Sequence, residues 1–327
     1  MLEASATLSL NYNIVWLIEC ACNCAVNAFA LISGYVGIEK KFKIFNIISL
    51  WIIVEFYSVG ITMVICFLTS CSIGIKDIIK SVIPVTSGGY WYFTAYFAMF
   101  FLTPLLNAAI QNVDRLIYKC SILFSAFIFC VMGTLSLGMD TFGLRFGYTT
   151  WWLIYLYTIG GYLRKYGSRV IGHNCKIWFE LYLGSTIISW LAKMVMTVIN
   201  TFLGKELLPT GILISYTSPT MLLSGIGLTM LFANLKIESA KTIKIIKVIS
   251  PLAFSVYIIH CHPLIYRLAL TKRFEEYAKF NVLGMFVLII LTATIIFMAC
   301  ILVDIIRKSL FKRIGLIFTE LETMKKQ

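Results

Sequence analysis

The stretch Asn281-Val-Leu-Gly-Met-Phe-Val-Leu-Ile-Ile-Leu-Thr-Ala-Thr-Ile-Ile-Phe-Met-Ala-Cys-Ile-Leu-Val303 decides the fold class, because it contains no charged side chain. A helix rises about 1.5 Å per residue, so such a run crosses the roughly 30 Å hydrocarbon core of a bilayer. Eight other blocks read the same way, giving candidate spans at 14–37, 44–68, 91–110, 117–138, 150–163, 177–202, 212–234, 248–268 and 281–305. The fifth is short unless Tyr148–Trp152 forms its interfacial start. Hydrophobic residues make up 60% of the 327 and charged residues 13%, with mean hydropathy +0.89. A soluble domain carries about a quarter charged residues. The expected fold is all-α: a single membrane-embedded domain over 1–327 with about nine spans.

Loop charges set the expected orientation, since Lys and Arg collect on the cytoplasmic side. One set of alternate loops and the tail hold 19 of them, including Lys40, Lys41, Lys43, Arg164, Lys165 and Arg307; the other set holds 8, and Lys193 lies inside a span. This puts the C-terminus in the cytoplasm and, with nine spans, the N-terminus outside. Residues 1–13 hold no Lys or Arg, and no cleavable signal pattern precedes the first span. A further leading helix would give the commoner arrangement, with both ends inside. The net charge of +13 follows from the same bias and calls for no nucleic-acid partner. The cysteines sit mostly in apolar segments without metal-ligand spacing, so no metal site is expected.

Between the second and third spans, Ile73, Ile75, Ile78, Ile79 and Val82 interleave with Lys76, Asp77 and Lys80, the pattern of a short amphipathic helix at a membrane surface. Trp91, Trp151, Trp152 and Trp178 fall at span starts, as an aromatic belt would place them. His173, in a loop beside Lys176, reads as solvated.

Polar groups inside spans carry the functional signal, because each is costly in hydrocarbon unless paired or facing an aqueous cavity. Glu19, Asn23 and Asn27 recur at i, i+4 and i+8 and form one helical stripe. It is either one wall of a substrate path or an interhelical hydrogen-bond seam. Glu55 and Lys193 also lie within spans, as does His260, which His262 and the helix-breaking Pro263 follow. No nucleophile elbow, Walker-type loop or paired carboxylates on one face is present.

Asn27-Ala-Phe-Ala-Leu-Ile-Ser-Gly-Tyr35 with Lys40-Lys41-Phe42-Lys43 resembles acyltransferase family 3, the integral-membrane O-acyltransferases of bacterial glycans. Tyr90–Tyr96 leading to Leu102-Thr-Pro-Leu-Leu-Asn107, Tyr155-Leu-Tyr-Thr-Ile-Gly-Gly-Tyr-Leu-Arg-Lys165, and Ser255-Val-Tyr-Ile-Ile-His260 with Pro263-Leu264 are similar to later stretches in family order. The resemblance implies a ten-helix bundle in the bacterial plasma membrane. Such a bundle passes an acyl group, acetyl being the commonest, from cytoplasmic acyl-CoA to a hydroxyl of a glycan or lipid-linked saccharide. Acetyl-CoA is then a co-substrate, and no cofactor is held permanently.

By the same resemblance, Lys40 and Lys43 stand where the family has two arginines, and with Lys41 they would hold the CoA phosphates. Lysines do so as point charges, without the fork of Arg. Gly34 beside them would let a ligand or a helix approach closely. Glu19, Asn23, Asn27, Glu55 and Lys193 would line the substrate path, and His260 is the candidate catalytic histidine. The family's first helix bears an Arg and a His, whereas no Arg precedes Arg115 and no His precedes His173 here. The expectation is a chain with little transfer activity of its own. A glycan flippase and an inactive partner of an envelope enzyme are the alternatives.

Overall fold

The computed structural model describes residues 9–68, 74–167 and 174–324; His173 and the start of the segment at 69–90 lie outside them. The described residues are helical, with no strand among them. In chain order the helices are α1 (Leu10–Gly37, with a turn at Cys24), α2 (Ile44–Leu68), α3 (Ile75–Val82), α4 (Trp91–Asn112), α5 (Arg115–Leu135), α6 (Thr150–Tyr162), α7 (Cys175–Leu203), α8 (Pro219–Asn234), α9 (Ala240–His260) and α10 (Val282–Met324). Seven of these, α1, α2, α4, α5, α7, α9 and α10, have the length and composition to cross a membrane.

Two expected spans have other bounds, one running further and one shorter. The block at 150–163 is α6, which continues through a π turn, Leu163–Gly167. The block at 212–234 is helical only over Pro219–Asn234, because Ser218 caps the helix and Pro219 occupies its first turn. The last helix, in contrast, runs well beyond residue 305.

The chain divides into two compact units. The larger holds α1 and α4–α8 (residues 9–47 and 91–236); the smaller holds most of α2, together with α3, α9 and α10 (48–90 and 237–324).

In the larger unit α1 packs on α6 and α7 on α8. Apolar side chains cannot drive this association in lipid, so close approach of backbones has to do so. Gly34 and Gly160 supply it: a Cβ on Gly34 would lie 2.0 Å from the Tyr157 carbonyl oxygen, and one on Gly160 would lie 2.1 Å from that of Leu31. The approach that Gly34 serves is therefore that of a helix. Around this seam, Leu31, Met99, Trp152, Leu153 and Leu156 are fully buried. Trp152 and Trp178 are core residues rather than members of a surface belt, while Trp151 is exposed. Pro104 inside α4 leaves the Phe100 carbonyl without its helical donor, and the Thr103 hydroxyl donates to that oxygen at 2.6 Å. Large apolar side chains such as Phe45, Phe67, Leu105 and Phe202 point outward, as a lipid-facing surface requires.

In the smaller unit a buried ion pair ties α10 to α2. Arg307 Nε donates to Asp304 Oδ1 at 2.6 Å, and the Tyr57 hydroxyl donates to the same oxygen at 2.7 Å. Arg307, read from the sequence as part of a basic tail, is buried. α3 forms where the amphipathic pattern placed a surface helix, and Ile75, Ile78, Ile79 and Val82 are exposed.

Candidate functional site

The chain between α7 and α8 decides the shape of the larger unit's interior. Gly204 adopts a left-handed conformation (φ 60°) that ends α7, and residues up to Ser218 fold as turns. Backbone at this depth must have its polar groups satisfied by neighbours. Side chains do so here: Ser189, Ser218 and Thr220 all donate to the Leu213 carbonyl, at 2.9, 3.0 and 2.9 Å. Asn23 Nδ2 donates to the Ile214 carbonyl at 2.5 Å and Asn27 Nδ2 to that of Tyr216 at 2.8 Å. Asn27 Oδ1 accepts from Trp152 Nε1 at 3.0 Å. Asn200 brackets Leu208 through both its amide groups.

The stripe on α1 therefore divides its work. Asn23 and Asn27 are the hydrogen-bond seam that holds this turn segment in place. Glu19, one turn further, has no hydrogen bond or ion pair among the described residues and faces a cavity of about 430 Å3. Trp16, Tyr148, Ser215 and Tyr216 share that lining. Tyr148 and Tyr216 cluster with Trp91, whose ring stacks on Tyr216 at 5.8 Å between centroids. Trp16 Nε1 carries no hydrogen bond.

A second cavity, about 840 Å3, borders Pro209 and Gly211, which also line the first; its walls include Lys193, Thr197, Lys205 and Glu206. Lys193 Nζ donates to Thr210 Oγ1 at 2.7 Å and sits 4.1 Å over the Trp16 ring, so its charge is held beside Glu19's cavity by a hydroxyl and an aromatic face.

Backbone strain marks the opposite wall. Leu137, Arg145 and Phe146 have positive φ (52°, 46° and 55°), three of the four such non-glycine residues among those described. Conformations of this kind cost about 1–3 kcal/mol each and persist where surrounding contacts impose them. The Asp140 carboxylate accepts from Arg145 N at 3.0 Å, and Ser215 Oγ donates to the Phe146 carbonyl at 3.3 Å. At Gly147 (φ 103°) a Cβ would meet Tyr216 at 2.5 Å.

At the other end of α1 the cations separate into two kinds. Arg164 makes a two-pronged contact with Glu39 (Nε 3.0 Å, Nη2 2.8 Å), which holds the Glu39 carboxyl below its ordinary value. Lys165 donates to the Ile110 and Gln111 carbonyls at the end of α4, where positive charge suits the helix dipole. Arg115 lies over the Tyr166 ring. Lys40, Lys41 and Lys43 are exposed, and their ammonium groups have no partner among the described residues. Asn107 and Gln111 meanwhile donate to the Gly37 and Ile38 carbonyls that end α1.

Glu55 and His260 belong to the smaller unit. Glu55 borders an open apolar groove with Trp51, Phe56 and Phe311. His260 Nδ1 lies 2.6 Å from the Val256 carbonyl, which assigns the ring proton to Nδ1 and leaves Nε2 as the basic nitrogen, 3.2 Å from Cys261 Sγ. The cavity beside Glu19 is lined by the larger unit alone. Among the described residues no three His, Cys, Asp or Glu side chains converge as metal ligands would.

Of the residues the sequence marks as a path, Glu19 and Asn23 line the first cavity and Lys193 the second, while Trp16, Tyr148, Ser215 and Tyr216 line the first without having been marked as site residues. The available signal was the turn-forming run Ser215-Tyr-Thr-Ser-Pro219 inside a supposed span, and the closely spaced Gly138, Gly143 and Gly147.

Seven helices long and apolar enough to cross a membrane mark a multi-pass membrane protein. The sequence signature described as an acyltransferase domain, that of acyltransferase family 3, matches residues 4–303. The chain belongs to this family and is an acyltransferase of the non-aminoacyl type. No curated protein and no solved structure matches it.

Proposed function

We propose that the larger unit transfers an acyl group, acetyl by default, from cytoplasmic acyl-CoA to a glycan hydroxyl at the outer face of a bacterial plasma membrane. One observation carries this reading: a single bundle presents three unpartnered lysines at one end and an unpartnered carboxylate in an aromatic-lined cavity toward the other. The 19-to-8 bias of positive charge favours the lysine end as cytoplasmic. There Lys40, Lys41 and Lys43 suit the phosphates of CoA. Trp16, Tyr148 and Tyr216 suit the apolar face of a sugar ring, and Glu19 and Ser215 suit its hydroxyls.

In the transfer, the sugar oxygen attacks the thioester carbonyl, a C–O ester bond forms and the C–S bond breaks. The hydroxyl proton passes to a base, and CoA leaves as the thiolate. Glu19 is positioned to accept that proton, and the Trp16 N–H is a donor without a partner for the developing oxyanion. A second reading of the base rests on His260, whose Nε2 is its basic nitrogen, 3.2 Å from Cys261 Sγ.

The test uses the purified chain in sealed proteoliposomes, with radiolabelled acetyl-CoA on one side and a polysaccharide acceptor on the other. The expected result is alkali-labile label on the glycan. Glu19→Gln and His260→Gln, compared directly, tell the two bases apart. Glycan crossing the membrane without any acyl donor would instead identify a transporter.

A further inference from the structure

The smaller unit contains a polar pocket of about 360 Å3 that the acyl-transfer chemistry above does not use. Lys80 and Asp77 of α3, Tyr90, and His262 and Arg267 after α9 line it, with Thr62 of α2. His262 is fixed as a wall. Leu264 N–H donates to its Nδ1 at 3.2 Å, so its Nε2 carries the proton and donates to the Ser58 carbonyl at 3.1 Å. Thr62 spends its hydroxyl on the Ser58 carbonyl and the Asp77 carboxylate only accepts, which leaves Arg267, Lys80 and Tyr90 as the donors with capacity to spare. Arg267 spends one guanidinium nitrogen on Asp77 Oδ2 at 3.1 Å and keeps its remaining N–H groups. The Lys80 ammonium group has no partner among the described residues, its carbonyl alone accepting from Ser87 Oγ. Tyr90 is 2% exposed, and its buried hydroxyl has no hydrogen bond of normal geometry. Ammonium, guanidinium and phenol thus offer three kinds of donor, with one net positive charge over the pocket.

The setting narrows the ligand further. Ile75, Ile78, Ile79 and Val82 leave α3 exposed on one side, while Asp77 and Lys80 border the pocket. A short helix of this pattern lies in the interfacial zone of a membrane, where lipid phosphates are concentrated.

We propose that this pocket binds a phosphate monoester. Its three terminal oxygens match the three donors, and its charge of about −1.5 to −2 suits the cationic lining. The proposal does not depend on the acyl-transfer reading, and its test contains no acyl donor, so either can fail without the other.

The full chain, purified in detergent, is titrated with inorganic phosphate by calorimetry, and with phosphatidic acid or phosphatidylcholine by native mass spectrometry. Saturable binding of a monoester is expected, weakened about tenfold or more by Lys80→Ala or Arg267→Ala. Tyr90→Phe weakens it less, and Lys76→Ala, a change on the same helix outside the pocket, leaves it unaltered. Lys80 and Arg267 are exposed, so thermal midpoints should stay near the parent value. Phosphatidic acid binding without inorganic phosphate binding identifies a lipid source; the reverse identifies a soluble one, and both uphold the site. The proposal is overturned if neither binds saturably, if acetate or phosphatidylcholine competes equally well, or if Lys76→Ala weakens binding as much as Lys80→Ala.

Discussion

Replacing Gly34 by Ala should be among the most damaging single-methyl changes in the protein. The added Cβ would sit 2.0 Å from the Tyr157 carbonyl oxygen, whereas ordinary contact begins at 3.4 Å. Backbone cannot swing aside as a side chain does, so α1 and α6 must part locally by about 1.4 Å, and a gap of about 0.5–1 Å already forfeits a quarter to a half of each dispersion contact. We expect Gly34→Ala to cost roughly 3 kcal/mol, the upper part of the overpacking range. Gly160→Ala faces the Leu31 carbonyl at 2.1 Å and should cost about the same. The two changes force the same separation, so the double variant should be less destabilised than the sum of the singles by about 1 kcal/mol or more. Gly60→Ala, with nothing within 4 Å, should be neutral or gain up to about 1 kcal/mol through helix propensity. Reversible unfolding of the purified variants in mixed detergent micelles measures all four. A neutral Gly34→Ala, or strict additivity in the double variant, would refute the close-packed seam.

Other changes probe the rest of the structure. Asn27→Leu leaves the Tyr216 carbonyl and the Trp152 indole without partners and should cost about 2–4 kcal/mol, read as a lowered unfolding midpoint. Asp304→Leu strands the buried Arg307 and should cost about 3–5 kcal/mol, much of it recovered in Asp304→Leu/Arg307→Leu; denaturant titration of both variants decides. Glu39 is held below its ordinary value of 4.5 by Arg164, so the folded state binds this proton less readily than the unfolded one. The pair's small contribution is present above that pH and fades as the pH falls through the lowered value, so a stability profile of Glu39→Gln should differ from the parent above about pH 4.5 and converge with it in acid.

Much of the architecture was legible because apolar length is a strong signal: the helices α1, α2, α4, α5, α7 and α10 fall on blocks read from the sequence, whereas α9 starts eight residues before the block at 248–268, takes in Lys241, Lys244 and Lys247, and ends at His260. The segment before α8 was misread because hydropathy averages over Ile212, Leu213 and Ile214 and passes over Ser218-Pro219, which end any helix there. The stripe of Glu19, Asn23 and Asn27 was legible as a polar face. Its division into a seam and a free carboxylate was not, since the carbonyls that Asn23 and Asn27 bind lie some 190 residues away in sequence. The basic loops posed the same problem. Composition cannot tell Arg164 and Lys165, which are committed to structure, from Lys40, Lys41 and Lys43, which are not. Arg307 shows it most sharply, because only the tertiary fold brings Tyr57 to its partner Asp304.

The central claim is that one bundle holds the donor at its lysine end and the acceptor at Glu19. Steady-state acetyl transfer in proteoliposomes tests this through two variants. Lys40→Ala/Lys41→Ala/Lys43→Ala should raise KM for acetyl-CoA about tenfold with kcat nearly unchanged, as three exposed phosphate contacts would. Glu19→Gln should lower kcat about a hundredfold or more with KM for acetyl-CoA nearly unchanged, as loss of a proton acceptor would. Both variants shifting the same parameter, or neither departing from the parent enzyme, would contradict the account.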